Sequence, residues 1–244
     1  MSAVAGRAGF LSKTRALAVK DLRIEARGRS TLPPMLAFSF AVMLLLAFAV
    51  AGTGARAAAG VSGTELRIAD VLAGFVWVTV LFAGLIGFAR AFEVERDDGA
   101  IDTLLLMPLD RSGLFLSKAL TNLTFIVVVE VFLIPAAGFF FQLDVGSDWP
   151  ALVLVVLLVD LGFVAIGTLF AALAAQTSSR ELMLPILALP ALVPVFVAAV
   201  ELTSDLFVGR GLDQVAARGW FGILIAFDVV FATVGALAFE YVLE

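Results

Sequence analysis

The chain alternates between long uninterrupted apolar stretches and short segments where charge collects. Six stretches approach the roughly 20 residues that a helix rising about 1.5 Å per residue needs to cross about 30 Å of hydrocarbon. They fall at about 34–52, 71–89, 119–143, 150–175, 182–200 and 219–239. The second is free of charge from Val71 to Ala89, between Asp70 and Arg90. Such runs are far longer than the roughly ten-residue alternating strands of a membrane barrel, so helices are predicted. The pattern predicts an all-α polytopic membrane protein, with a six-helix domain over 34–244 and a segment of different character over 1–33.

In that first segment Phe10, Leu11, Leu17, Ala18, Leu22 and Ile24 fall mostly on one side of a helix, with Lys13, Lys20, Arg23 and Arg27 opposite. Asp21 and Glu25 interrupt the apolar stripe. This predicts an amphipathic helix in the membrane surface, its basic side chains snorkelling toward anionic headgroups. Two roles stay open for it, a topological anchor and a mechanical element. Ala55-Arg56-Ala57 looks like a signal-peptide cleavage site, but the basic region before the first span and the span itself are too long for that pattern.

Composition agrees with the pattern. The chain is 62% hydrophobic and 15% charged, against roughly 45–50% and 25% in soluble domains. It contains no Cys and no His. That excludes disulfides, thiolate metal sites and Cys nucleophiles, and removes the usual general base and the commonest metal ligand. No catalytic residue and no metal site are expected.

The position of charge sets the orientation. Seven basic residues precede Pro34: Arg7, Lys13, Arg15, Lys20, Arg23, Arg27 and Arg29. Arg90, Arg96, Arg111, Lys118 and Arg180 fall on the same side, against Arg56, Arg67, Arg210 and Arg218 on the other. Both termini are therefore expected in the cytoplasm of a multi-pass bacterial inner-membrane protein. Trp149 and Trp220 fall on the outer side, as an interfacial belt predicts, and the basic tail needs no nucleic acid to explain it.

Glu130, Asp160 and Asp228 each sit about ten residues inside a span. An ionised group there costs about 2.5–3.5 kcal/mol on insertion scales, so such residues face a cavity, a partner or each other. They mark either a polar path or hydrogen bonds across a helix interface, for instance Asp160 near Thr168 or Glu130 near Thr124. Pro185, Pro190 and Pro194 punctuate the fifth span, as a hinge or as a fixed bend.

The connection 90–118 is the longest on the cytoplasmic side. It carries Glu93, Glu95, Asp97, Asp98, Asp102 and Asp110 beside the apolar run Leu104 to Met107. Acid and apolar surface so close together suits either a docking element or a solvated acidic loop with a short re-entrant turn.

The spacing Phe92-x-x-Glu95-x-x-x-Gly99-x-x-Asp102-x-Leu104-x-x-x-Pro108-Leu109, followed by Lys118, resembles the loop between the second and third spans of bacterial ABC-2-type permeases. With the basic opening Lys20 to Glu25 and the proline-marked fifth span, the chain is similar to the CcmB family, haem exporter permeases of cytochrome c maturation. A departure is Asp102, where that family often has Glu. The resemblance implies a half-transporter whose ATP is hydrolysed on a separate cytoplasmic ABC ATPase. The sequence agrees, since it contains no G-x-x-x-x-G-K-[ST] phosphate loop.

On this resemblance Glu93, Glu95, Gly99, Asp102 and Pro108 shape a coupling helix, and Leu104 and Leu105, with Leu106, fill a groove on the ATPase. It also implies a homodimer of permease chains, working beside a haem-handling membrane protein and a periplasmic haem chaperone. Haem is then cargo of the complex, and this chain, without His or Cys, offers no usual axial ligand for it. Whether haem passes through the chain or the complex only drives chaperone release stays open. The competing reading is an ion-coupled secondary transporter using Glu130, Asp160 and Asp228 as a proton relay.

Overall fold

A computed structural model describes residues 2–57, 68–92, 111–141, 148–175, 177 and 180–242. Among these residues the chain forms helices and no strands. In order they are α1 (Ser2–Gly28), α2 (Leu32–Ala57), α3 (Ile68–Arg90), α4 (Arg111–Phe141), α5 (Trp149–Ala175), α6 (Arg180–Phe207), the short α7 (Leu212–Ala217) and α8 (Trp220–Val242). Six of them, α2 to α6 and α8, are long and apolar enough to cross a membrane.

Helix is what these sequences must form in hydrocarbon, because only the i to i−4 ladder satisfies every backbone group within the segment. The hydroxyls inside the spans follow the same economy. Ser39, Thr79, Thr121 and Thr124 each donate to the carbonyl four residues earlier, at 2.7–3.0 Å. Thr124 is thereby committed to its own helix and leaves Glu130 to another partner, contrary to the pairing suggested by sequence.

The bundle is organised around α5, which packs on α3, α4, α6 and α8. Its span is 67% buried, whereas that of α8 is 11% buried and presents its apolar residues outward. Aromatic rings lock α3, α5 and α6. Phe163 meets Phe88 edge-on at 5.1 Å and Phe196 at 5.0 Å, and Phe196 meets Trp77 at 6.0 Å. Trp77 is itself buried and donates from Nε1 to Thr203 Oγ1 at 2.8 Å, tying α3 to α6.

Two boundaries depart from the hydropathy reading. The third membrane helix begins at Arg111, well before residue 119, and the fifth runs to Phe207, past residue 200. Hydropathy stops at a charge, but a helix does not where that charge is matched. Lys118 is buried and ion-paired, and past residue 200 both Glu201 and the buried Asp205 pair with Arg218. The helix α7 between the fifth and sixth spans was not foreseen, since its six residues are too short and mixed to show a period.

Candidate functional site

The coupling residues expected from the sequence, Glu93, Glu95, Gly99, Asp102, Leu104, Leu105 and Pro108, all lie outside the described residues. The structure does describe both places where the connection 93–110 joins the bundle. One is the end of α3 with Arg90 and Phe92, and the other is the first two turns of α4, up to Lys118.

Those two places are closed into a ring through α1. Helix α1 lies along α4, and Gly113 of α4 permits the approach. A Cβ there would stand 3.1 Å from the Phe10 ring and 3.2 Å from Thr14 Oγ1. Farther along, Asp21 forms an ion pair of 2.9 Å with Lys118 and one of 3.3 Å with Lys20. The Lys118 ammonium also sits 5.5 Å from the centre of the Phe92 ring, within cation–π range. Arg90 donates to the carbonyl of Ser30, at the elbow between α1 and α2.

Glu25 holds that elbow. Its carboxylate accepts from the backbone N–H groups of Thr31 and Leu32, both at 2.8 Å, and from the Ser30 hydroxyl at 3.1 Å. It thus caps the start of α2 from outside the helix, where unpaired N–H groups and the helix dipole favour an anion. Burial works to raise its pKa, but the hydrogen bonds from Leu32, Thr31 and Ser30 outweigh it and hold the carboxyl below its ordinary value. Arg29 adopts the left-handed conformation at φ 51°, which turns the chain between the helices. The two acids that interrupt the apolar stripe of α1 are therefore the residues that fasten it. A small pocket of about 60 Å³ lies inside the ring, between Glu25, Arg90, Lys118 and Asn122.

Within the membrane-spanning region the carboxyl groups of Glu130 and Asp160 are neighbours across the α4–α5 interface. Both residues are buried, and neither has a hydrogen-bond partner elsewhere among the described residues. Two turns away on the same interface Asn122 donates to Thr168 at 3.2 Å. Thr168 is thus engaged by α4; it lies two turns from Asp160 along α5, about 12 Å of rise, and is no partner for it. Asp228 points elsewhere. Its buried oxygens lie against Gly162, where a Cβ would collide with Oδ1. The three carboxylates therefore form one pair and one separate group, with no Lys or Arg of the described spans beside them.

Pro185, Pro190 and Pro194 lie within one continuous helix, α6. An apolar groove of about 310 Å³ runs between α3 and α6, lined by Leu81, Leu192, Phe196, Val200 and, at one end, Glu201. Beyond it Asp205 pairs with Arg210 and, at 3.0 Å, with Arg218, which also reaches Glu201 at 3.5 Å. This charge network joins α6 to the connections flanking α7. Among the described residues no group of three or more His, Cys, Asp or Glu side chains is arranged to hold a metal ion.

Comparison with known proteins gives a family for this arrangement. Residues 12–244 match the model of the family described as CcmB protein. A protein named Heme exporter protein B from Paracoccus denitrificans is 30% identical over 187 residues, covering 77% of this chain and 80% of its own length. Another of that name from Rhodobacter capsulatus is 28% identical over 212 residues, covering 83% of this chain and 85% of its own length.

Proposed function

Since this chain belongs to the CcmB protein family, we propose that it is the permease subunit of an ABC-type complex that serves haem export in c-type cytochrome biogenesis. The match over nearly the whole chain carries this reading, together with the name Heme exporter protein B borne by its relatives. The mechanical part fits the residues. The chain is a multi-pass membrane protein, with no nucleotide-binding loop in its sequence to hydrolyse ATP. A separate ABC ATPase supplies the energy, docking from the cytoplasm on the connection 93–110 with Leu104 and Leu105 as its apolar contacts.

In this reading both termini face the cytoplasm of a bacterial inner membrane, which the distribution of Lys and Arg supports. Two permease chains pair to match two ATPases. Haem is cargo, handled by a haem-binding membrane partner and a periplasmic chaperone, because this sequence lacks the His and Cys ligands that hold haem iron. The fifth span, with its prolines and the groove beside α3, is the element suited to change shape during the cycle.

The buried pair Glu130 and Asp160 favours one competing reading, a proton-coupled transporter. The two separate in cells that lack the chain and are complemented with it. Formation of c-type cytochromes should stop when the partner ATPase carries a dead hydrolysis site, with the proton gradient intact. Cytochrome formation that persists without ATP hydrolysis and stops on collapse of the gradient would favour the second reading.

A further inference from the structure

The connection between α3 and α4 does not join the bundle at two independent points. Arg90, at the end of α3, is bonded to the α1–α2 elbow through the Ser30 carbonyl. Lys118, on α4, is bonded to α1 through Asp21 and lies against the ring of Phe92, which follows α3. The elbow itself is fixed to the first span by Glu25. We infer that Lys118, with Asp21 and Phe92, is a latch that binds both roots of the 93–110 connection to α1, so that displacement of the connection is delivered to the first span through the Glu25 elbow. This rests on the reading that the connection receives the ATPase.

Lys118 carries the coupling. Its side chain is 6% exposed, so its charge has given up most of its water and must be matched by protein groups. Asp21 supplies the counter-charge and the Phe92 ring the negative face of a quadrupole. Lys118 and these two partners come from three different places in the chain, Asp21 before the first span and Phe92 and Lys118 on either side of the connection. A shift of either root that parted Lys118 from them would break a short ion pair and a cation–π contact at a site with little water to replace them, which couples the three. Removing the Lys118 charge is the milder lesion, because Asp21 keeps Lys20 at 3.3 Å. Removing Asp21 would take from buried Lys118 the carboxylate that pairs with it at 2.9 Å. Lys118 is thus a positioning residue that acts through the connection and touches neither nucleotide nor cargo.

The chain has no cysteine, so an introduced pair reports alone. Arg23 on α1 and Leu116 on α4 are both exposed, and the double variant Arg23→Cys, Leu116→Cys can carry two nitroxide labels on the full chain in detergent or nanodiscs. The expected result is one narrow inter-label distance distribution that broadens with Lys118→Met and is restored by Lys118→Arg. In complex with the ATPase, Lys118→Met should co-purify as much ATPase as the unmodified chain while cytochrome c formation falls about fivefold or more, the size of a typical coupling loss.

An unchanged distance distribution in Lys118→Met overturns the latch, and so does undiminished cytochrome c formation. If Lys118→Met does not fold, Lys118→Gln, whose shorter neutral side chain cannot form the ion pair with Asp21, must broaden the same distribution, and a narrow one overturns the latch. If the unmodified chain retains no ATPase, the proposed function fails, and the label distances still decide whether the latch exists.

Discussion

The ring of Phe88 on α3 occupies the space that a Cβ on Gly167 of α5 would need. One turn earlier on both helices the relation is reversed, with Gly84 of α3 receiving the ring of Phe163 of α5. Two parallel helices thus exchange ring for glycine twice, a close approach of the small-residue kind that packs helices in hydrocarbon, where apolar burial gives little drive. Gly167→Ala should destabilise the bundle by about 1–3 kcal/mol through overpacking. Gly74→Ala, at a site with nothing within 4 Å, should be neutral or nearly so. Thermal unfolding in detergent checks both, and Phe88→Leu combined with Gly167→Ala should recover part of the loss.

Asp160→Asn should not lower stability. The amide keeps the shape of the carboxyl and adds a donor aimed at Glu130, giving the interface a hydrogen bond worth about 0.6 kcal/mol in membrane proteins. Asp160→Leu removes the polar contact and leaves Glu130 buried and alone, and should destabilise. Comparing the unfolding midpoints of the two variants tests the neighbouring placement of Glu130 and Asp160. Equal losses in both would contradict it.

The elbow at Glu25 gives a pH dependence with a defined sign. Its carboxyl titrates below the ordinary value in the folded protein. The stability it contributes is fully present above the unfolded carboxylate pKa and is lost as pH falls through the lower folded value. Glu25→Ala should cost about 0.5–2 kcal/mol near neutral pH, as the loss of a helix cap does. It should also flatten the acid limb of a stability–pH profile recorded between about pH 3 and 6. A variant with the same acid limb as the unmodified chain would count against this account of the cap.

Leu105→Lys should detach the ATPase and leave the spans folded. A charge cannot be buried in an apolar groove without a partner, and in the sequence Leu105 falls in the connection between α3 and α4, outside the six spans. The check is ATPase co-purification alongside the unfolding temperature of the permease. Full retention of the ATPase would contradict the assignment of this run as the docking element.

Much of the architecture was legible in the sequence because a bilayer imposes a length and a polarity that few other environments require. The stretch from Val71 to Ala89 could be little else, and α3 covers it. What escaped were relations that exist only once helices are set against one another. Asp21 and Glu25 looked like flaws in an apolar stripe, since their partners Lys118 and the first N–H groups of α2 come from other elements. The neighbouring of Glu130 and Asp160 depends on the register of two antiparallel helices, which no periodicity reveals. Trp77 stands mid-span, and nothing in its own span announces that Thr203 of α6 comes to its indole nitrogen. The connection 93–110 was legible as a motif, whereas the fastening of the flanking residues Arg90 and Lys118 to the α1–α2 elbow and α1 was not, because their partners come from before the first span.

The most direct test of the whole account is a mild-detergent pull-down of the tagged chain, with an ATPase assay and a haem absorbance spectrum on what accompanies it. The account predicts an ABC ATPase and a haem-binding membrane protein in the eluate, with the haem absorbance following that partner and absent from this chain alone. A chain that elutes without any ATPase, across detergents that preserve its fold, would contradict it.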